Sequence, residues 1–269
     1  MDFIEKLKKI INKNDTLLCV GLDIDEEKIP KFLKNKKDGY LEFNKKIIDN
    51  TKDLVCAYKI NMAFYESLGL DGYKLLSDTI DYIPDDIIII LDGKRNDIGN
   101  TAKKYAKSLY ETLTCDAITV NPYLGFDGIK PFLEYNDKCS FILCRTSNPS
   151  AVDFQDLKTP DGLVYEIVAN KIIEWNKKAC CGAVVGATYP EELKDIRCNL
   201  GDNIPILIPG VGKQGGDVEK TIKYGTNKDG SMAIINSSRG IIYAGNDTDF
   251  ADSARRKAKE LKDEINKYR

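Results

Sequence analysis

The 269-residue chain contains no histidine. That absence removes the Ser-His-Asp triad, the Cys-His pair, His-ligated zinc and iron sites, and the commonest general base. Acid–base chemistry is left to Lys, Asp, Glu, Tyr or Cys. Long apolar runs are missing too: the longest aliphatic stretch, 87–91 (IIIIL), is far short of the roughly 20 residues that a membrane span needs. The first nine residues, MDFIEKLKK, are too charged for the apolar core of a signal peptide. Charge of one sign is not in excess either. Forty Lys plus Arg stand against 42 Asp plus Glu, net −2, so no global basic field recruits nucleic acid or an anionic membrane. The eight cysteines form no CxxC pair, and Cys19, Cys56, Cys144 and Cys181 lie in apolar stretches. This fits reduced thiols used as small hydrophobes in a cytoplasmic protein. With no linker, repeat or low-complexity tract, 1–269 reads as a single domain, a size that suits an α/β barrel of roughly 250 residues.

What is present is alternation. Eight short runs rich in β-branched residues occur at 17–23 (LLCVGLD), 54–61 (LVCAYKIN), 87–94 (IIIILDGK), 117–122 (AITVNP), 140–146 (SFILCRT), 182–188 (GAVVGAT), 206–212 (ILIPGVG) and 232–237 (MAIINS). Near-continuous hydrophobic runs are what strands buried on both faces look like. Amphipathic helical patterns fill the intervals at 40–53, 65–82, 100–113 and 164–178, and a charge-laced helix at 249–267 reads as a solvated outer layer. Eight βα units predict an α/β fold, a (β/α)8 TIM barrel. The competing open, doubly wound sheet usually carries GxGxxG after its first strand, whereas here the first run leads into GLDID. The longest non-periodic stretch, 147–161, follows the fifth strand and has the length of a lid or binding loop.

In such a barrel the chemistry is expected at the C-terminal ends of the strands. The polar residues there are Asp23 after strand one, Lys59 and Asn61 on strand two, and Asp92 and Lys94 on strand three. Thr146 and Ser147 end strand five, and Ser237, Ser238 and Arg239 end strand eight. Lys59 and Asp92 interrupt runs that should be apolar. Buried charges are rarely left alone, so the economical arrangement pairs them. Asp92 and Lys94, two apart on a strand, should share a face. Asp97 falls in the turn that starts the next helix, where it could equally be a helix cap, and Asp92 with Lys94 could be a structural ion pair. The glycine-dense loop 209–217 (PGVGKQGGD) and 236–240 (NSSRG) offer backbone N–H groups, a helix N-terminus and one arginine, the makings of an anion cradle.

The run 91–102 (LDGKRNDIGNTA) resembles the DxKxxDI signature of orotidine 5'-phosphate decarboxylase, in the branch with DxKRxDIGxTA. GLD at 21–23, YKIN at 58–61, VNPYLG at 120–125, CRTSNP at 144–149, PGVGxQGGD at 209–217 and NSSRGI at 236–241 agree in order, so the resemblance covers about 15–245. It implies that Lys94 donates a proton to C6 of the pyrimidine, with Asp92 its carboxylate neighbour and Lys59 the other cation. Asp97 would complete the array from the partner subunit of a homodimer, together with Ile98 near the base and Thr101 at the ribose. Asp23 would bind a ribose hydroxyl, and Ser147 or Thr146 would read the pyrimidine edge. Gln214 and Arg239 would hold the phosphate, with backbone from Gly212 and Ser238. The reaction, orotidine 5'-phosphate to UMP and CO2 at the end of pyrimidine biosynthesis, would need no cofactor and no metal. Gly93 replaces a common alanine and should loosen the catalytic strand slightly. Two rival readings are a sister barrel that uses DxKxxD to hold Mg2+ for sugar-phosphate chemistry and a non-catalytic nucleotide-binding barrel. The first typically has an acid at the Lys59 position and an assisting histidine; the second would have lost part of the charged array.

Overall fold

The apolar runs pair edge to edge and in parallel. In the computed structural model, which describes residues 1–177, 180–211 and 217–269, the strands are β1 (Leu18–Gly21), β2 (Ala57–Asn61), β3 (Ile88–Arg95), β4 (Ala117–Val120), β5 (Cys139–Arg145), β6 (Cys180–Val185), β7 (Ile206–Pro209) and β8 (Ala233–Ser237). Each pairs with its sequence neighbour, and β1 pairs with β8 through Leu18–Ile235 and Val20–Ser237, closing the expected barrel. Closure leaves no free sheet edge. It buries strands on both faces, which is why their apolar residues run without alternation: Ile88, Ile90 and Leu91 of β3 are fully buried.

The N-terminal helix Phe3–Asn14 is started by a reciprocal cap, Asp2 accepting from the Glu5 amide and Glu5 accepting from the Asp2 amide. Its Phe3, Leu7, Ile10 and Ile11 are buried, and Phe3 meets Phe141 edge to face at 5.9 Å. Lys6 pairs with Asp116 and Lys13 with Asp86, residues that precede β4 and β3, so this helix covers the N-terminal end of the barrel and leaves the other end open. The helix at Phe250–Asn266 differs from a solvated layer on one side: Phe250, Ala254, Ala258 and Ile265 are buried, and Phe250 stacks on Phe43 at 5.0 Å. The expected helix 65–82 is two helices, Met62–Glu66 and Gly69–Ile80, because Gly69 takes a left-handed φ of 66°. The loop after β5 is not structureless: it holds a 3-10 turn, Pro149–Asp153, and a small hairpin pairing Lys158–Thr159 with Gly162–Leu163. All eight cysteines are free thiols. No helix among the described residues is long and apolar enough to cross a membrane.

Candidate active site

All eight strand ends contribute to a cavity of about 940 Å³ at the C-terminal mouth of the barrel. Its floor carries the charges that interrupt β2 and β3. Lys59 Nζ lies 3.1 Å from Asp92 Oδ2 and 3.7 Å from Asp23 Oδ1, and Lys94 Nζ lies 2.7 Å from Asp92 Oδ1. The expected pairing of Lys59 with Asp92 is present, and Lys94 joins it through the second carboxylate oxygen. Burial alone would push the Asp92 carboxyl up, but the flanking Lys59 and Lys94 outweigh it and hold the group well below the ordinary carboxylate range. Burial likewise disfavours the Lys59 ammonium, yet Asp23 and Asp92 together hold its pKa above that of a free lysine. The Lys94 side chain is half exposed to the cavity, whereas Lys59 is buried. One cation therefore anchors the array and the other faces whatever occupies the cavity.

Lys94 reaches this position through an irregularity in the sheet. Leu91 pairs with Ile118 and Arg95 with Val120, so Asp92, Gly93 and Lys94 stand opposite the single residue Thr119. Lys94 adopts a left-handed φ of 47°, a conformation that costs an L-residue about 1–2 kcal/mol. Its amide donates to Thr119 Oγ1 at 2.9 Å, and that hydroxyl donates to Asp92 Oδ1 at 2.8 Å. Gly93 does not leave a gap: a Cβ there would come within 2.9 Å of Met62 Sδ, so the space that alanine would take is already filled. Arg95 is tied off outside the array by an ion pair with Glu66.

Around this floor, Asp23 accepts from the Asn61 amide at 3.3 Å, and Ser238 and Arg239 line the wall after β8. Thr146 is committed to its own loop. Its amide donates to Gln155 Oε1, its hydroxyl accepts from Gln155 Nε2 at 2.7 Å, and the same hydroxyl donates to Asn148 Oδ1 at 2.7 Å. Arg145, buried and stacked 3.9 Å from the Tyr189 ring centroid, reaches Gln155 and Asp156 and so pins the loop. Ser147 lines the cavity with no side-chain hydrogen bond among the described residues. Gly212 and Gln214 lie outside the described residues.

Asp97, Ile98 and Thr101 do not line this cavity. Among the described residues Asp97 Oδ1 accepts only from the next amide, Ile98 N, at 2.8 Å; the helix Gly99–Lys107 begins with Ile98 at its cap position and no side-chain cap, so Asp97 is not the helix cap that its position allowed. Ile98 is 57% exposed, an unusual state for an isoleucine, and Thr101 is exposed beside it. Sequence reasoning missed Thr119, Gln155 and Tyr243. The Tyr243 hydroxyl donates to the Asp23 carbonyl at 2.9 Å and accepts from the Asp25 amide, fixing the turn after β1. Thr119 had a signal in the sequence, a hydroxyl in the otherwise apolar run AITV; Gln155 and Tyr243 had none.

The model of the orotidine 5'-phosphate decarboxylase / HUMPS family matches residues 16–254. The chain is 50% identical to orotidine 5'-phosphate decarboxylase of Dehalococcoides mccartyi strain CBDB1, covering all of this chain and 99% of that one. It is 45% identical to that of Ralstonia pickettii strain 12J over the full length of both. Among solved structures, Leishmania donovani OMP decarboxylase superposes with a TM-score of 0.86 at 37% identity, covering 100% of this chain and 98% of that one. Leishmania donovani UMP synthase gives 0.89 at 38% identity, with this chain spanning only 56% of its length. A family match across the whole barrel, full-length relatives at half identity, and two cations gathered on one carboxylate agree: the chain belongs to the orotidine 5'-phosphate decarboxylase family.

Proposed function

We propose that the chain, 1–269 acting as one domain, carries out its family's reaction, converting orotidine 5'-phosphate to UMP and CO2, with Lys94 as the proton donor and no cofactor. One observation carries this reading: Lys59, Asp92 and Lys94 form a continuous ion-paired array on the cavity floor, with Lys94 the most exposed of the three to a ligand. As the bond from C6 to the carboxylate breaks, its electron pair stays on C6 and CO2 leaves. The Lys94 ammonium stabilises that developing charge and delivers a proton to C6, then recovers one from solvent. Asp92, kept ionised by its two cations, lines the same cavity and in this reading repels the substrate carboxylate. Two unit charges about 4 Å apart interact by only about 4 kcal/mol at an effective dielectric of 20. Enzymes typically lower barriers by about 8–23 kcal/mol, so repulsion is the lesser contribution and the preorganised Lys94 the greater.

A ribose hydroxyl is assigned to Asp23 and the phosphate to Arg239 with the Ser238 backbone, all three residues lining the cavity, joined by Gln214 and Gly212 on the family's pattern. Between the two candidates for reading the pyrimidine, Ser147 is favoured, because the Thr146 hydroxyl and amide are both spent within the loop. Asp97, Ile98 and Thr101 are assigned to the neighbouring site of a homodimer; the exposure of Ile98 supports this, since a second copy would cover it. Eight free thiols suit the reducing cytoplasm. The test is loss of orotidine 5'-phosphate followed by ultraviolet absorbance, with and without EDTA. Wild type should turn over equally in both. Lys94→Ala should abolish turnover while still binding UMP, and normal turnover by that variant would sink the assignment.

A further inference from the structure

We propose that Thr119 is a positioning residue for decarboxylation, one hydroxyl that sets both the backbone of Lys94 and the carboxylate of Asp92. The inference rests on the reading of Lys94 as proton donor. The direction of the two hydrogen bonds is fixed by chemistry. The Lys94 N–H can only donate, so the Thr119 oxygen accepts there at 2.9 Å; its single proton is then free for Asp92 Oδ1 at 2.8 Å. Asp92 Oδ1 thereby receives Thr119 and Lys94 Nζ, while Oδ2 receives Lys59, which fixes the plane of the carboxylate.

The need for such a residue comes from the irregular pairing of β3. With three residues set against one, the ladder between Leu91 and Arg95 is interrupted, and the Lys94 amide donates its hydrogen bond to a side chain instead. That bond holds Lys94 in its left-handed conformation, from which Nζ comes back to the carboxylate two residues earlier. Thr119 is 1% exposed and borders the cavity floor, so water cannot readily replace its hydroxyl. Valine has nearly the same shape; it would fill the space and leave the Lys94 amide and Asp92 Oδ1 each short of one partner.

Thr119→Val, Thr119→Ser and Lys94→Ala are to be compared for kcat, KM and UMP affinity. UMP lacks the C6 carboxylate, so its binding reports the phosphate, ribose and base contacts rather than the array. In Thr119→Val, kcat should fall by about 30-fold, or ~2 kcal/mol at ~1.36 kcal/mol per tenfold, with UMP affinity within about twofold of wild type. Thr119→Ser, which keeps the hydroxyl, should recover most of the loss. Three results would overturn the proposal: Thr119→Val with a wild-type kcat, Thr119→Ser as impaired as the valine variant, or UMP affinity falling in step with kcat. Should the valine variant not fold, Thr119→Ala against Thr119→Ser supplies the same comparison. Normal turnover by Lys94→Ala defeats the proton-donor reading itself; an inactive Lys94→Ala beside an unimpaired Thr119→Val defeats only the role of Thr119.

Discussion

Replacing Lys59 by methionine tests whether the array is an electrostatic unit. Methionine approximates the lysine stem but removes the buried ammonium at 3.1 Å from Asp92 and 3.7 Å from Asp23. Those separations correspond to about 5 and about 4.5 kcal/mol of gross attraction at an effective dielectric of about 20. Desolvation of the ammonium offsets much of this, and breaking a buried pair by removing one partner typically costs about 3–5 kcal/mol net. At about 2–4 °C per kcal/mol for a chain of this size, Tm at pH 7 should drop by roughly 10 °C. The loss should also depend on pH. In wild type the Asp92 carboxyl is held low, so its contribution is present above about pH 3.9 and is lost only as pH falls toward the depressed value. Without Lys59, burial acts on Asp92 against Lys94 and the Thr119 hydroxyl only, its pKa rises, and protonation below neutrality relieves the variant. Thermal unfolding followed by circular dichroism should therefore show the gap between the two proteins narrowing from pH 7 to pH 4. A Tm loss below about 2 °C at pH 7, or a gap constant across that range, would refute the electrostatic account.

Two further outcomes follow from the same geometry. If Asp97 serves the neighbouring site, mixing inactive Lys94→Ala with inactive Asp97→Ala after subunit exchange should restore about a quarter of wild-type turnover, because half the dimers are mixed and each carries one intact site; no recovery would remove Asp97 from the shared site. Arg197 is buried beneath the barrel and donates to the carbonyls of Gly225, Gly201, Ile204 and Met232 at 2.9, 2.9, 2.8 and 2.7 Å, with burial pulling its guanidinium down to about 10. Arg197→Met strands several of those acceptors, at about 1–3 kcal/mol each, so urea denaturation should show a loss of about 4 kcal/mol while kcat of the folded enzyme stays near wild type.

Much of the molecule was legible in the primary structure for a local reason. A strand covered on both faces must be apolar along its length, so an interrupting charge such as Lys59 or Asp92 marks itself, and the strand-end rule places it at the mouth of the barrel. The same locality explains the misreadings. The run 65–82 has continuous helical amphipathicity, and only the positive φ of Gly69 divides it. The outer helix Phe250–Asn266 looks solvated by composition because the few residues that bury it, among them Phe250 and Ala254, are outnumbered by its charges.

The chain alone determined the element types, their alternation and the identity of the charged residues, because these depend on periodicities of two and 3.6 and on which side chains tolerate burial. Closure of the barrel decided the distances. Lys94 and Thr119 are 25 residues apart, and Asp92 and Thr119 are 27 apart. Their hydrogen bonds exist because the register of β3 on β4 slips between Leu91 and Arg95, a relation between two strands that no local pattern encodes. Tertiary structure likewise decided that Thr146 spends its hydroxyl on its own loop while Ser147 faces the cavity, since the partner Gln155 arrives from a segment without periodicity. Residue chemistry is local and survives in sequence; the placing of one donor against one acceptor is a long-range packing result.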